Sequence, residues 1–417
     1  MAPQIFWLGL GNMGRGMVTN LAQKGKLEKP LLIYNRTQKR ADDLAAKIGG
    51  GKVEVVSDPL QGLKRSDIVF TMLSNDKAVE ENFDAFLSSG DVKSKLFIDC
   101  STIHPDTTER LAKKVTDAGG EFIASPVFGA PPAADAGALI FVPSGPKAVV
   151  DKLKPYTIGV MGKAEVSLAD RPYGAASTLK LIGNTFVLNM VTQLAEAFTV
   201  AEKSGVGVEP VKNFVDTLFG GVYSGYAERM TKGTYWKLEE PLFSADNAIK
   251  DATHAQSIAK AVGVEVKNAG NAREYLEDVK KQKGGEKGDI AGIYGAARVR
   301  AGLNSNSRKL PASFARQLLL QSSNVAFLKL QSPNVARYFT NKMAGGGSIF
   351  LGLVIVAALS VGAWFFAPKG ENQTTWRSSL IIAFVACYLM WFVTFMAQLN
   401  PLIAPKNPTV REGYQHE

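Results

Sequence analysis

The chain has 417 residues, 46% apolar and 21% charged, with a net charge of +10. That length admits two or three domains, and that balance excludes an intrinsically disordered chain. The charge is unevenly placed: residues 1–289 hold 36 Lys/Arg against 35 Asp/Glu, whereas residues 290–370 hold nine basic residues and no acid. The basicity belongs to the tail, where no zinc pattern or aromatic-basic platform accompanies it, so no nucleic-acid partner is expected. Cys100 and Cys387 lie far apart and make no disulfide scaffold. The opening MAPQIFWLGLG lacks a basic n-region and runs straight into a strand pattern, so no signal peptide is expected.

The run QIFWLGLG predicts a strand, MGRGMVTNLAQKG a helix ending near Gly25, and KPLLIYNRT a second strand. Gly9, Gly11 and Gly14 have the spacing G-x-G-x-x-G inside this βαβ unit. Gly9 permits the tight turn, Gly11 lets the backbone approach a pyrophosphate, and Gly14 lets helix and strand pack closely. Asn12 and Met13, in the first helical turn, present the positive helix end to the same anion. An NAD site would place an acid at the end of the second strand, to bind the ribose 2′-hydroxyl. Here stand Asn35, Arg36 and Thr37, with no acid between Ile33 and Gln38. Arg36 can pair with a 2′-phosphate, so the expected cofactor is NADP. SDIVFTML, SKLFIDCST and GEFIASPVFG predict further strands whose Ser/Thr-rich ends line the ligand crevice, and the domain is expected to span residues 1–167.

Residues 175–205 predict a long helix ending at Gly205, with Leu179, Ile182, Phe186, Leu194 and Phe198 near helical spacing. Lys180 and Asn184, four apart, share one face. They are either a structural pair on the helix surface or a proton carrier with an amide that positions substrate. Residues 208–299 are again mostly helical, and the helical domain is expected over 168–302. His104, His254 and His416 are too scattered for a metal site, and no metal is expected.

Residues 303–342, rich in Ser and Asn and without acid, resemble a poorly ordered linker. Two uncharged spans follow, 349–367 and 378–399, joined by ten residues. Each is long enough to cross a bilayer, so a two-helix transmembrane hairpin is expected, with Trp364, Trp376, Tyr388 and Trp391 as interface anchors. Asn372-Gln373-Thr374 is an N-glycosylation sequon that matters if its loop is lumenal.

On the motifs GLGNMGRGM (9–17), DCST (99–102), SPVFGAPPAADAGAL (125–139), GAASTLKLIGN (174–184) and Lys250-Asp251, residues 4–300 resemble the β-hydroxyacid dehydrogenase family. This family includes 3-hydroxyisobutyrate dehydrogenase and is related to 6-phosphogluconate dehydrogenase. The resemblance implies a Rossmann-type NADP-binding α/β domain followed by an all-α dehydrogenase domain. It implies Lys180 as general acid/base, Asn184 as substrate holder, and Lys250 closing over the cofactor. Ser101 and Thr102 would touch nicotinamide and substrate, Leu73 and Ser74 would join the cofactor set, and Phe128 and Gly129 the substrate set. The expected substrate is a hydroxyacid or aldehyde, and the expected assembly is a homodimer through the helical domain. The family's PVSGG loop stands here as Pro126-Val127-Phe128-Gly129-Ala130, which replaces a carboxylate-binding serine by Phe128 and admits a larger or less polar substrate. Imine reductases share a PVFG form but generally lack this lysine, and a non-catalytic NADP-binding module is a third reading.

Residues 343–417, with APKGENQTTWRSS and CYLMWFVTFMAQLNPLIAP, resemble subunit e of the vacuolar-type proton ATPase. That resemblance implies membrane-sector subunits of the proton pump as partners and no catalysis. Met343 stands where an independent small protein would start, so the chain is expected to join two proteins, by a merged gene model or, as the less favoured reading, a real fusion. A real fusion would place the dehydrogenase on the cytosolic face of an endomembrane; separate halves would leave it soluble and cytoplasmic.

Overall fold

A computed structural model describes residues 2–305 together with Tyr388, and residues 2–305 belong to one compact unit. In chain order β1 (Ile5–Leu8), α1 (Asn12–Lys24), β2 (Leu31–Tyr34), α2 (Gln38–Ile48), β3 (Val53–Val55), α3 (Pro59–Arg65), β4 (Ile68–Thr71), α4 (Asp76–Ser89), β5 (Leu96–Asp99), α5 (Pro105–Asp117) and β6 (Glu121–Ala124) alternate strand with helix. Then come β7 (Val127–Phe128), α6 (Pro131–Asp135), β8 (Leu139–Phe141), β9 (Ser144–Gly145), α7 (Lys147–Val150), β10 (Gly162–Glu165) and β11 (Leu168–Ala169).

The main sheet has the order β11-β9-β6-β5-β4-β1-β2-β3. Its pairs run parallel except β6 with β9. Helices cover both faces, so the central strands are apolar on both sides. Ile5 and Trp7 join one core with Ile33, Phe70 and Ile98. Phe6 and Leu8 join the opposite core with Leu32, Val69 and Phe97. The strand order reverses between β1 and β4, and the glycine turn after β1 opens at that switch point, where such sheets bind ligands.

One expected strand is two. GEFIASPVFG breaks into β6 in the main sheet and β7 in a three-stranded sheet of order β10-β8-β7. Pro126, between them, has no amide to continue the ladder. β11 pairs with β9 beyond residue 167, and the helical part begins with α8.

α8 (Gly174–Ser204) is the axis of the all-α part, followed by α9 (Val208–Leu218), α10 (Gly221–Thr231), α11 (Ala245–Ala261), α12 (Lys267–Lys283) and α13 (Ile293–Arg300). Its core gathers Leu188, Val191, Leu194 and Phe198 with Leu276 and Ile293. Of the apolar positions expected on one face of α8, Ile182 and Phe186 instead point outward, 48% and 73% exposed. α8 is apolar around much of its circumference, so periodicity alone does not choose the buried face.

Among the described residues no helix is long and apolar enough to cross a membrane. Apart from Leu303–Ser305 and Tyr388, the expected linker and both expected spans lie outside the described residues.

Candidate active site

The turn after β1 needs its glycines for separate steric reasons. Gly9 has φ +104°, and a Cβ there would lie 2.3 Å from the Met72 carbonyl oxygen. A Cβ on Gly14 would lie 2.2 Å from the Gly9 oxygen. One on Gly11 would meet nothing within 4 Å, so the backbone there faces open space at the start of α1. This cradle fits a dinucleotide pyrophosphate, with the amides of the first α1 turn aimed toward it. Met13 packs on the core, and the Asn12 side chain donates to the Pro241 oxygen at 2.6 Å. Asn12 can therefore serve a cofactor through its backbone.

At the end of β2, Asn35 Oδ1 accepts from the Leu10 amide at 3.0 Å and Asn35 Nδ2 donates to the Thr37 oxygen at 3.1 Å. Asn35 thus shapes the glycine turn. Thr37 stands at the N-cap position of α2 without a side-chain capping bond, and both Arg36 and Thr37 are exposed at this rim. Sequence reasoning missed Arg40, in the first turn of α2; its signal was a second basic residue four positions beyond Arg36.

The loops after β4 and β5 are tied together: Ser101 Oγ accepts from the Leu73 amide at 2.9 Å. Ser101 is 1% exposed, and its own amide donates to Asp99 Oδ1 at 3.2 Å. In this structure the Ser101 hydroxyl, expected beside nicotinamide and substrate, is engaged by the Leu73 amide and ties the two loops together. Ser74 is exposed beside Asn75 and Thr102 is half-buried, its carbonyl oxygen accepting from Lys250 Nζ.

α8 and α11 supply the polar centre. Lys180 and Asn184 are 8% and 6% exposed. Asn184 Nδ2 donates to Asp251 Oδ2 at 2.7 Å, and Asp251 Oδ1 forms an ion pair with Lys250 Nζ at 3.2 Å without hydrogen-bond geometry. Lys180 Nζ lies 4.6 Å from the centre of the Phe128 ring and has no hydrogen-bond partner among the described residues. Burial pulls Lys180 down from the usual 10.5 to about 8; Asp251 opposes that shift and Lys250 adds to it. Phe128 sits where it does because position 183 is glycine: a Cβ there would lie 2.3 Å from its ring. Gly129, with φ +134°, turns the exposed end of this loop.

Sequence reasoning also missed a cluster beside this centre. His254, one turn beyond Lys250 on α11, bonds Asp76 at 2.8 Å, and Asp76 accepts the His104 amide at 2.8 Å. The rings of His104 and His254, scattered in the sequence, are 5.2 Å apart. Burial alone would raise Asp76, but bonds from His254, the His104 amide and Thr107 outweigh it and hold the carboxyl far below the usual carboxylate range.

Three family models match the chain. The NAD binding domain of 6-phosphogluconate dehydrogenase matches residues 4–170. The NAD-binding domain of NADP-dependent 3-hydroxyisobutyrate dehydrogenase matches 174–296, and the H subunit of ATP synthase matches 348–408. An NADH-dependent oxidoreductase of Aspergillus ustus, ucdB, is 34% identical over 292 residues, which are 70% of this chain and 98% of that protein. The mitochondrial 3-hydroxyisobutyrate dehydrogenase of Drosophila melanogaster is 32% identical over 219 residues, 52% of this chain and 64% of that protein. Among solved structures, 3-hydroxyisobutyrate dehydrogenase of Mycobacterium tuberculosis with L-serine aligns at TM-score 0.60 and 21% identity, covering 72% of this chain and 100% of that one, a likeness of fold.

Proposed function

We propose a reaction for this chain, which belongs to the family of nicotinamide-dependent oxidoreductases that includes 3-hydroxyisobutyrate dehydrogenase: the reversible reduction of an aldehyde or ketone to an alcohol with NADP(H). The observation that carries this reading is the buried Lys180 ammonium, unpaired among the described residues, beside Asn184 and over Phe128. When bound, the cofactor supplies or accepts the hydride at its nicotinamide ring. In reduction Lys180 Nζ gives a proton to the substrate oxygen as the carbon gains hydride; in oxidation it takes that proton back. A lysine near 8 can do both at neutral to mildly basic pH. Asn184, held by Asp251, orients the oxygen. Lys250 closes α11 on the Thr102 loop and keeps the two walls at a fixed separation.

Gly9, Gly11 and Gly14, with the Asn12 and Met13 amides, would hold the pyrophosphate. Leu73, Ser74 and Thr102 would line the nicotinamide end, and Arg36, Thr37 and Arg40 would take the 2′-phosphate. Phe128 and Gly129 would form the substrate wall. Phe128 offers a carboxylate no hydrogen bond, which favours a less polar carbonyl within the hydroxyacid and aldehyde class. The test is an NADPH-oxidation screen with semialdehydes, glyoxylate, uncharged aldehydes and cyclic imines, run on the native chain and on Lys180→Ala. Aldehyde turnover lost in the variant supports the reading. Imine turnover retained in the variant would replace it with an imine reductase, and cofactor binding with no turnover would leave a binding module.

Two wider readings accompany this one. A homodimer through the helical part is supported by exposed Ile182, Phe186, Phe214, Leu218, Phe219 and Val222, with Phe219 stacked on Tyr223 at 4.8 Å. For residues 343–417, the match to the H subunit of ATP synthase supports a membrane hairpin that joins the proton-pump membrane sector and tethers a cytosolic dehydrogenase. Mass spectrometry of the native polypeptide tests it: a membrane species near 45 kDa with peptides crossing 304–343 supports the tether, and a soluble species ending near residue 300 refutes it.

A further inference from the structure

The segment between α10 and α11 crosses from the helical part to the Rossmann part and is fastened there at three points. Glu240 Oε2 lies 2.6 Å from an Arg15 guanidinium nitrogen on α1, and Glu240 Oε1 lies 2.8 Å from one of Arg40 on α2. The Pro241 oxygen accepts from Asn12, whose Oδ1 accepts from Arg15 at 2.9 Å. One carboxylate is thus shared by two arginines that stand at different places along the expected cofactor path. Arg15 follows the glycine turn, where a pyrophosphate would lie. Arg40, in the first turn of α2, stands four residues beyond Arg36 and the β2 end that reads the adenine ribose. Arg36 itself has no ion pair among the described residues. The bonds from Arg15, with the field of Arg40, hold the Glu240 carboxyl below its usual range, so it is ionised at neutral pH.

We propose that Glu240 sets the balance between NADPH and NADH by engaging Arg40 and so competing with the 2′-phosphate for its guanidinium; this rests on the cofactor reading above. The 2′-phosphate is the only group that distinguishes the two cofactors, and it competes with Glu240 for Arg40. NADH, with a neutral 2′-hydroxyl, meets no such competition. Arg15 faces the pyrophosphate that both cofactors share, so releasing it changes both affinities alike. The ratio of the two therefore isolates Arg40. On this account the chain accepts NADH more readily than Arg36, Thr37 and Arg40 alone would allow.

The test is the dissociation constants of NADPH and NADH, from cofactor fluorescence on the full-length chain in mild detergent at constant ionic strength. Glu240→Gln keeps an acceptor for Arg15 and removes the charge. It should raise the preference for NADPH over NADH by roughly twofold to fivefold, the size expected for releasing one half-exposed ion pair. In an Arg40→Ala background the same change should leave the ratio where it stands. An unchanged ratio in the single variant, a shift toward NADH, or an undiminished shift without Arg40 would overturn the proposal. The outcome is separable from the cofactor reading. A native chain that binds NADH better, with a ratio insensitive to Arg36→Ala, refutes NADP as cofactor, while the response to Glu240→Gln still reports on Glu240.

Discussion

Replacing Lys180 with methionine removes a charge that folding takes out of water and leaves a side chain of similar length. The two consequences have opposite signs. Burial lowers the lysine from 10.5 to about 8. At about 1.4 kcal/mol for each tenfold change in proton affinity, that lowering corresponds to about 3 kcal/mol of destabilisation by the native ammonium. The Phe128 ring returns about 0.5–2 kcal/mol of that through its attraction for the cation. Lys180→Met should therefore stabilise the chain by about 1–3 kcal/mol at pH 7. Below pH 8 the lysine is charged in both folded and unfolded chains, so the full penalty applies. Between 8 and 10.5 the folded lysine is neutral while the unfolded one still binds a proton. Native stability accordingly rises with pH across this window, and the advantage of the methionine variant fades toward pH 10.5. Urea unfolding of both proteins across pH 7–10.5 measures the difference, with all other titrations common to both. Turnover should fall by about two to four orders of magnitude in the variant, the usual contribution of a positioned acid–base group. In the native chain kcat/KM for reduction should decline as pH rises through about 8, and that for oxidation should climb. A variant less stable at pH 7, or a stability difference that does not move with pH, would refute the burial argument. Retained turnover would remove Lys180 from the chemistry.

Two further changes probe how the centre is held. Gly183→Ala puts a methyl 2.3 Å from the Phe128 ring, so strain of about 1–3 kcal/mol should exceed the helix-propensity gain of about 1 kcal/mol. Adding Phe128→Ala should relieve that strain, which thermal melts of the single and double variants would show; additive losses would separate the two residues. Asp76→Ala and His254→Ala should each loosen α11 from the β4–α4 and β5–α5 loops. A double-mutant cycle should give a coupling of about 1–2 kcal/mol in unfolding free energy, and zero coupling would mean that the 2.8 Å contact does not hold the walls together.

The glycine turn is legible in the amino-acid sequence because its demands are local. Gly9, Gly11 and Gly14 answer to backbone clashes within one βαβ unit, and the same unit fixes where Arg36 must stand. The break at Pro126 is harder to read, since an apolar run on either side of a proline still looks like one strand. Glu240 has no local signature. It is one of two adjacent acids in a polar loop, and what singles it out is the approach of Arg15 and Arg40 from 225 and 200 residues away.

The contrast between α8 and α11 explains the rest. Each presents polar side chains to the cleft about one helical turn apart: Lys180 and Asn184 on α8, Lys250, Asp251 and His254 on α11. On α8 these interrupt an apolar helix, but the helix is apolar around much of its circumference, so the sequence leaves Lys180 and Asn184 open between a surface pair and a reactive one, and their burial appears only in the fold. α11 is rich in alanine and polar residues along its whole length, and the same spacing is then indistinguishable from a solvated surface. Only contact decides that Asp251 holds Asn184 and that His254 reaches Asp76. The burial of Lys180 and the contacts of the residues around it thus depend on the same thing, the approach of β7 and of the Thr102 loop from distant parts of the chain, and become visible only when those partners are in place.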